Sequence, residues 1–381
     1  MNLLFVTTQT EWGGSEPLWA ETAKRAAAEG HRVTAVFPHS AQPHDGYNKL
    51  REAGVEFISR PARMEPTLLR RIGWKLQGLG KPEVEWWRRR FARTPDAVCV
   101  SQGGSYCALT MPGLVEWLRE SPMPYILVSH SHRARALPES KYITRLQRLF
   151  RGASAIGFVA KANRAAAEEF LGLKLPQANI LQNPLNLKTI ESVPWPEKAS
   201  PLRLACVGRI DFEDKGQDLL VDSLAQYQWK PRDFTLDIYG SGPDESALQE
   251  RIDRQGLTDK VRLAGFERDV RNIWADHQVL VMPSRSEGTP ISLIEAQICA
   301  RPAVVTDVDG NGDWVEDGKT GFVAKEASVE AISDALERMW SRRDQLRAIG
   351  EAARQACLAK RDPDPEGTLL ALLLSAAAVG R

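Results

Sequence analysis

The sequence has no long hydrophobic run. Its most apolar stretch, residues 369–379, is well short of the roughly 20 residues that a membrane-spanning helix needs. The apolar segment near the N-terminus, NLLFVTT, follows no basic region, so it predicts a strand and not a signal peptide. The five cysteines are scattered and form no Cys-x-x-Cys pair, which excludes a disulfide scaffold and predicts a reducing, cytoplasmic compartment.

An excess of one charge sign is also missing, because the formal net charge of the 381 residues is +1. This balance conceals an asymmetry, since residues 1–190 carry a net charge of +10 and residues 191–381 one of −9. The composition excludes a collagen-like or disordered chain, and the length predicts two or three domains. The charge asymmetry indicates that the two halves meet different partners.

Short apolar runs alternate with helical patterns in the first half. Strands are predicted at 2–8, 31–38, 55–58, 97–101, 125–128, 155–159 and 179–181, with a helix over 15–30. Strands that alternate with helices predict a parallel, doubly wound sheet. The proline-rich segment 187–202 is predicted to be a linker.

The same alternation restarts after the linker. Strands are predicted at 202–208, 234–240, 261–266, 278–283 and 302–307, and helices at 243–256, 269–276, 290–300 and 327–358. Two doubly wound sheets facing each other would form a cleft at the carboxyl ends of their strands, where ligands bind. The predicted domains are 1–190 and 191–360, followed by a tail, 361–381, that forms a helix packing back toward the first domain.

Two basic residues follow the first strand of the second half, in the segment GRIDFEDKG. Gly208 allows a sharp turn at the strand end, and Arg209 and Lys215 would then lie near the carboxyl edge of the sheet. A guanidinium and an ammonium at one edge suit a diphosphate. Two ordinary surface cations would give the same spacing.

The segment PSRSEGTPISLIEA, residues 283–296, predicts a helix that begins at the same edge. Thr289 is a natural N-cap and Pro290 a natural first helical residue, so the free N–H groups of the first turn would form an anion site. Glu287 precedes this helix and Glu295 lies inside it. Carboxylates beside an anion site are explained if they accept hydrogen bonds from sugar hydroxyls, although two solvated acids are an alternative explanation.

These residues carry a family resemblance. The frame Glu-Gly-x-Pro-x-x-x-x-Glu-Ala from Glu287, with the GR…KG segment upstream, resembles the retaining glycosyltransferases of family 4, which have the GT-B fold. The resemblance is strong over 202–325 and fair over 1–35 and 125–190. It implies an α/β fold of two Rossmann-like domains facing a central cleft, and transfer of a sugar from a UDP- or GDP-linked donor with no cofactor and no required metal.

The resemblance also implies site residues. Arg209 and Lys215 would hold the diphosphate, Glu287 would face the donor sugar, and Glu295 would bind the ribose hydroxyls. The residues expected around the phosphates, sugar and base are Gly288, Thr289, Pro290, Ile291 and Phe266. In the first half, Gly13-Gly14-Ser15-Glu16 is similar to the family's loop after the first strand, where Gly14 would approach the diphosphate and Ser15 would cap the helix. His130 is the expected histidine near the donor sugar.

Other functions share parts of this pattern. His130 and His132 could ligate a metal, and Asp307-Val-Asp309 and Asp362-Pro-Asp364 mimic the metal motif of another glycosyltransferase fold, but no further histidines complete a cluster. A nucleotide-sugar 2-epimerase of the same fold and a catalytically silent nucleotide-sugar binding protein are the competing functions. Asp309 also departs from the family, which commonly has glycine there.

A basic stretch of the first half indicates the class of acceptor substrate. Residues 60–93 contain ten Lys or Arg and three Glu, with Trp74, Trp86 and Trp87 interleaved and Arg88-Arg89-Arg90 following. Arginines continue beyond His130, at Arg133, Arg135, Arg145, Arg148 and Arg151. Basic residues with tryptophan suit an anionic or lipid-linked acceptor, or peripheral binding to an anionic membrane. A solvated basic face is the alternative, and nucleic acid is not expected as a partner.

Overall fold

The computed structural model describes residues 1–39, 41, 44–60, 82–91, 95–132, 137–197 and 200–379. The chain divides into two units, Met1–Pro184 with Pro363–Arg381, and Leu185–Asp362. The predicted divisions, after residues 190 and 360, lie a few residues from these positions. In each unit a parallel sheet is covered by helices.

The first unit contains a sheet of seven strands in its described part, in the order β3-β2-β1-β4-β5-β6-β7. All neighbouring strands are parallel. Every residue of the central strand β4 is buried, as expected where helices cover both faces of a parallel sheet. The strands are β1 (Asn2–Thr7), β2 (Arg32–Pro38), β3 (Glu56–Arg60), β4 (Ala97–Gln102), β5 (Tyr125–Ser129), β6 (Ala155–Phe158) and β7 (Ala178–Ile180).

The α-helices in the described part of this unit are α1 (Glu16–Ala28), α2 (Asp45–Glu52), α3 (Pro82–Arg90), α4 (Leu114–Glu120), α5 (Ile143–Gly152), α6 (Lys161–Leu171) and the C-terminal α14 (Pro365–Val379). Helix α14 packs beside α1, where Leu369 and Leu373 share a buried cluster with Leu18 and Ala23. The amino end of α14 is tied to α1 by an ion pair between Asp364 and Arg25. The tail is therefore part of the first unit.

The second unit contains a six-stranded parallel sheet in the order β10-β9-β8-β11-β12-β13. Its strands are β8 (Leu202–Val207), β9 (Phe234–Tyr239), β10 (Val261–Gly265), β11 (Val279–Met282), β12 (Ala303–Thr306) and β13 (Gly321–Ala324). Its helices are α7 (Phe212–Lys215), α8 (Gln217–Leu224), α9 (Glu245–Arg254), α10 (Val270–Asp276), α11 (Ile291–Ile298), α12 (Val329–Ser341) and α13 (Leu346–Lys360).

Two features of the second unit differ from the sequence analysis. Strand β13 was not predicted, because four residues that begin with glycine make a weak strand signal. The single helix predicted over 327–358 is wrong, since α12 and α13 are separated by a short 3₁₀ turn at Arg343–Gln345. No glycine or proline marks this break in the sequence.

Both sheets have the strand order of a doubly wound fold, so each has a point where the order reverses. This switch point lies between β1 and β4 in the first sheet and between β8 and β11 in the second. Ligands of such sheets bind outside the carboxyl ends of the strands at the switch point. The segments that follow β1, β4, β8 and β11 are therefore where site residues are expected.

The basic stretch is partly buried and partly paired. Trp87 is fully buried and stacks on Trp117, so the prediction that Trp87 anchors the chain at a membrane interface is wrong. Arg88 and Arg89 pair with Glu120 and Glu85. Arg90 lies 3.8 Å from Glu56. Trp74, Arg133, Arg135 and residues 61–81 lie outside the described residues.

Candidate active site

The two strands at the second switch point bring a lysine and a glutamate together. Lys215 follows β8 and Glu287 follows β11, and the Lys215 Nζ lies 2.7 Å from the Glu287 Oε1. The Ser284 hydroxyl donates to the same oxygen at 2.7 Å. Glu287 is only 6% exposed, whereas Lys215 is partly open to solvent. Residues 72 apart in the chain thus form one charged pair at the place where a ligand is expected.

A glycine allows the two segments to approach each other. Gly216 has a left-handed φ of +64°, and a Cβ there would lie 2.2 Å from the Pro283 carbonyl oxygen. The backbone N–H groups of Arg285 and Ser286 donate to the Asp214 carbonyl at 2.8 and 3.0 Å. Any larger residue at 216 would separate Lys215 from the segment that carries Glu287.

A bidentate ion pair fastens the same two segments. The guanidinium of Arg285 bonds both carboxylate oxygens of Asp218, at 2.6 and 2.8 Å. The carboxylate of Asp218 raises the pKa of Arg285 above its ordinary value, chiefly through this hydrogen bonding. Neither residue was predicted: Arg285 lies in the segment 283–296 but has no position in the Glu-Gly-x-Pro frame, and Asp218 follows the GR…KG segment.

Asp309 contacts the backbone of the glutamate segment. Its Oδ2 accepts a hydrogen bond from the Glu287 N–H at 2.8 Å and one from the Ser286 hydroxyl at 3.1 Å. Its φ is +43°, a left-handed conformation that aspartate tolerates better than most non-glycine residues. The aspartate that departs from the family pattern therefore holds the segment on which Glu287 lies.

Glu295 lies in α11 and is almost completely buried. Its Oε1 accepts a hydrogen bond from the Asn186 backbone N–H at 2.8 Å. Burial raises the pKa of Glu295 from 4.5 to about 7, and the bonds from Asn186 offset part of that rise. Contact with ribose hydroxyls stays a prediction.

The start of α11 differs by one residue from the prediction. The helix begins at Ile291, and Pro290 occupies the N-cap position with φ −79° and ψ 75°. Thr289 is therefore not the N-cap, and Pro290 is not the first helical residue. The Ile291 N–H donates to the Thr289 carbonyl at 2.9 Å, so this N–H is not available to an anion as the sequence analysis expected. Gly288 lies between this turn and Glu287.

Two other predicted residues lie at carboxyl ends of strands in the second unit. Arg209 is exposed and lies in the loop after β8, where the side-chain amide of Gln217 donates to its carbonyl at 2.8 Å. Phe266 follows β10 and is 82% exposed. Their contacts with a donor stay predictions.

In the first unit, the loop after β1 is anchored by Glu16. This buried carboxylate accepts hydrogen bonds from the Thr7 hydroxyl at 2.7 Å and the Trp19 indole at 3.2 Å. Burial raises the pKa of Glu16. Ser15 occupies the N-cap position of α1, but the prediction that its side chain caps the helix is wrong, because its hydroxyl donates to the Glu16 carboxylate and accepts no hydrogen bond from a backbone N–H of α1. Gly14 lies in this loop and is exposed.

His130 directly follows β5 and is buried. Its Nε2 lies 3.3 Å from the Ser101 hydroxyl at the end of β4, and its Nδ1 has no hydrogen-bond partner among the described residues. Burial lowers the pKa of His130 from 6.5 to about 4, so the imidazole is neutral at pH 7. His132 instead approaches the Tyr106 hydroxyl at 3.4 Å. The part of the chain that the structure describes contains no group of three metal-ligating side chains.

Comparison with known families decides the identity of this fold. Residues 201–342 match the glycosyl transferases group 1, and residues 13–186 match the glycosyl transferase 4-like domain. The chain is a GT4-type glycosyltransferase with the GT-B fold. The matched segments include Arg209, Lys215 and Glu287 in the second half and Gly14 and His130 in the first.

Individual relatives of this glycosyltransferase have different substrates in their names. A GDP-mannose-dependent α-(1-6)-phosphatidylinositol monomannoside mannosyltransferase of Mycolicibacterium smegmatis is 25% identical over 91% of this chain and 90% of its own. An α-D-kanosaminyltransferase of Streptomyces kanamyceticus is 33% identical, but over only 35% of each chain. The crystal structure of Anabaena HepE with UDP and glucose superposes with a TM-score of 0.77 at 17% identity, covering 98% of this chain and 99% of that one.

Asp309 offers a test of the loop geometry. Asp309→Gly should lower kcat about tenfold, because glycine accepts the left-handed φ but cannot hold the Glu287 N–H, and a hydrogen bond to a charged group contributes about 1.5–3 kcal/mol. Asp309→Asn should stay within about threefold of the wild type, since asparagine tolerates the same φ and keeps an acceptor oxygen. Steady-state kinetics of both variants check this. Equal losses in the two variants would contradict it.

Glu295 is expected to make the stability of the glycosyltransferase depend on pH. Between pH 4.5 and about 7 the folded chain keeps a proton that the unfolded chain releases, so stability falls as the pH rises through this window. Glu295→Gln keeps the acceptor for Asn186 without the charge and should stabilise the protein above pH 7.5 by about 1–3 kcal/mol. The gain should vanish near pH 4. Calorimetric melting temperatures of the wild type and Glu295→Gln across this pH range test the prediction, with Glu316→Gln as an exposed control. Parallel curves of melting temperature against pH for the wild type and Glu295→Gln would contradict the raised pKa of Glu295.

Proposed function

We propose that this glycosyltransferase transfers a sugar from a UDP- or GDP-linked donor to an acceptor with retention of the anomeric configuration. The observation that carries this proposal is the Lys215–Glu287 pair at the switch point of the second sheet. A cation there suits the leaving diphosphate, and a carboxylate beside it suits sugar hydroxyls.

The proposed step needs little covalent chemistry from the protein. The bond from the anomeric carbon to the diphosphate oxygen breaks, and negative charge grows on the diphosphate while the sugar becomes oxocarbenium-like. Lys215 and Arg209 stabilise that negative charge. The acceptor oxygen then bonds to the anomeric carbon on the same face, and its proton passes to the departing phosphate oxygen.

The remaining predicted residues have binding roles in this proposal. Glu287 orients the donor sugar and Glu295 its ribose. The backbone from Gly288 to Ile291 and the side chain of Phe266 surround the phosphates and the base. In the first unit, Gly14 allows the loop after β1 to approach the diphosphate, and His130 contacts the sugar as a neutral imidazole.

The donor and acceptor are proposed at the level of class. A hexose on a uridine or guanosine diphosphate is supported by the donor in the name of the mycobacterial relative and by the UDP and glucose in the Anabaena structure. A lipid-linked or anionic acceptor is supported by the phosphatidylinositol monomannoside in the name of the mycobacterial relative and by the positive charge of residues 1–190.

A panel of labelled nucleotide sugars tests the proposal. The expected result is that one donor is hydrolysed slowly, that an acceptor accelerates its turnover, and that the transferred sugar retains its anomeric configuration. Interconversion of epimers would instead identify an isomerase, and tight binding without turnover would identify a binding protein. Either of these two outcomes would overturn the transferase proposal.

Metal independence is a separate prediction. Activity should survive an excess of EDTA, because Lys215 and Arg209 supply positive charge at the leaving group that a metal ion supplies in other enzymes. The measurement is the donor turnover rate before and after chelation. Complete loss of activity that manganese or magnesium restores would contradict the prediction.

We also propose that the protein associates peripherally with an anionic membrane when its acceptor is lipid-linked. None of the described helices is long and apolar enough to cross a membrane. The charge of +10 on residues 1–190 supports surface attraction of about 1 kcal/mol per basic residue that reaches the lipid. Sedimentation with anionic vesicles should decrease as salt rises, and no sedimentation at low salt would refute the idea.

A further inference from the structure

The first unit has a surface cavity away from the residues described above. The cavity has a volume of about 480 Å³ and is lined by the end of α4, the segment before β5, the end of α5 and Ala376 of helix α14. This volume is within the range of about 300–1,000 Å³ that is usual for small-molecule sites.

The position of the cavity separates it from the candidate active site. Tyr125, the first residue of β5, lines the cavity, whereas His130 follows the last residue of the same strand. At about 3.3 Å per residue, the two positions are roughly 17 Å apart along the strand. The cavity is therefore at the amino edge of the sheet, opposite the carboxyl edge where nucleotide-sugar residues are expected.

The lining is basic and hydroxylated. Arg119 and Arg148 line the cavity together with Ser121 and Ser154. Neither guanidinium makes a hydrogen bond or ion pair with any residue that the structure describes, and both are exposed. The two carboxylates of α4 are already engaged, because Glu116 pairs with Arg145 and Glu120 with Arg88. The positive charge at this cavity is thus not neutralised by the adjacent helix.

Helix electrostatics do not explain both arginines. A basic residue in the last turn of a helix offsets the negative end of the helix dipole, and this accounts for Arg119 in α4 and Arg151 in α5. Arg148 lies before the last turn of α5 and still lines the cavity. Two arginines at one cavity match the oxygens of a phosphate group, which guanidinium binds bidentately.

We propose that this cavity binds a phosphate-bearing ligand at a site distinct from the nucleotide-sugar site. The ligand is either a soluble phosphate compound or the headgroup of an acidic phospholipid, since both present the same oxygens. Ala376 places helix α14 in the wall of the cavity, so occupancy also stabilises the packing of the C-terminal helix on the first unit.

Calorimetric titration with pyrophosphate at constant ionic strength tests the site. The wild type should show two classes of site. Arg119→Gln/Arg148→Gln should weaken one class at least tenfold and keep the other, while Lys215→Ala should do the reverse. The control Arg32→Gln/Arg51→Gln removes the same charge from exposed arginines of the first unit that do not line the cavity, and it should change neither class by more than about twofold. If the wild type shows only the class that depends on Arg119 and Arg148 and none that depends on Lys215, the proposed function is refuted and this site is retained.

The source of the phosphate is decided by vesicle sedimentation. If vesicles of phosphatidylcholine with phosphatidylglycerol sediment the wild type but not Arg119→Gln/Arg148→Gln, the ligand is a lipid headgroup. If pyrophosphate binds but vesicles do not sediment the protein, the ligand is a soluble phosphate compound. If the double variant and the wild type bind pyrophosphate equally, or the control loses as much affinity as the double variant, the proposal is wrong.

Discussion

Replacement of Lys215 by alanine is expected to lower kcat by about 10²–10³-fold, the usual effect of removing one group that stabilises developing negative charge. Lys215 contacts Glu287 at 2.7 Å, and that pair follows the two strands that flank the switch point. Its removal takes away charge that matters most as the diphosphate departs, so KM should change less than kcat. Steady-state kinetics with the donor identified in the nucleotide-sugar panel measure both constants.

The control for this prediction must separate catalysis from folding. Without Lys215, Glu287 becomes a buried carboxylate without its cation, which destabilises proteins by about 3–5 kcal/mol in comparable cases. Lys215→Ala/Glu287→Gln removes that stability cost but not the catalytic one. Arg209→Ala, at an exposed residue, should lower kcat at least about tenfold with little change in melting temperature. Wild-type kcat in Lys215→Ala would overturn the leaving-group assignment.

The strands of both units, except β13, follow directly from the sequence. Runs such as AVCVS and VLVMP are apolar at nearly every position, and such runs belong to strands that are buried on both faces of a parallel sheet. The end of each strand also predicts the region of the site, because ligands bind at the carboxyl edge. For this reason the sequence alone places Arg209, Lys215 and Glu287 near one edge of the second sheet.

Contacts between distant segments could not be predicted. The spacing of 72 residues between Lys215 and Glu287 has no periodicity that indicates a contact, so the sequence placed both at one edge of the sheet but did not predict that they form a pair. In the sequence Asp309 belongs only to an Asp-x-Asp pattern that mimics a metal motif, yet its left-handed backbone directs its carboxylate to the Glu287 N–H. Trp87 is of a residue type that is common at membrane interfaces, but it is fully buried and stacks on Trp117. Each of these outcomes depends on tertiary packing.

Arg301 is a further residue without a sequence signal, and its structural role is large. The side chain is fully buried, and its hydrogen bonds reach five carbonyl oxygens, which equals the number of N–H groups on a guanidinium. The acceptors are His277 at 2.8 Å, Val193 at 3.1 Å, Cys299 at 2.7 Å, Pro194 at 2.7 Å and Trp274. Trp274 and His277 are at the carboxyl end of α10, Cys299 is at that of α11, and Val193 and Pro194 are in the linker.

One cation therefore caps two helices and fastens the linker to them. Helix ends leave carbonyls without partners and carry partial negative charge, so a buried guanidinium is favourable there despite its desolvation. Burial lowers the pKa of Arg301 from 12.5 to about 10, which still leaves it charged at pH 7. Lysine cannot replace it, because an ammonium has only three donors for these five acceptors.

Arg301→Met is expected to destabilise the second unit by at least about 3 kcal/mol, since each buried carbonyl left without a donor costs about 1–3 kcal/mol. In a unit of this size, that corresponds to a fall in melting temperature of roughly 6–12 °C. Arg301→Lys should recover less than half of the loss. Arg251→Met, which removes one partly exposed ion pair with Asp222, should cost less than about 1 kcal/mol. Scanning calorimetry of the three variants without nucleotide provides the comparison. A melting temperature for Arg301→Met within 2 °C of the wild type, which corresponds to about 1 kcal/mol or less, would contradict the prediction. It would show that water or neighbouring N–H groups satisfy these carbonyls in place of the guanidinium.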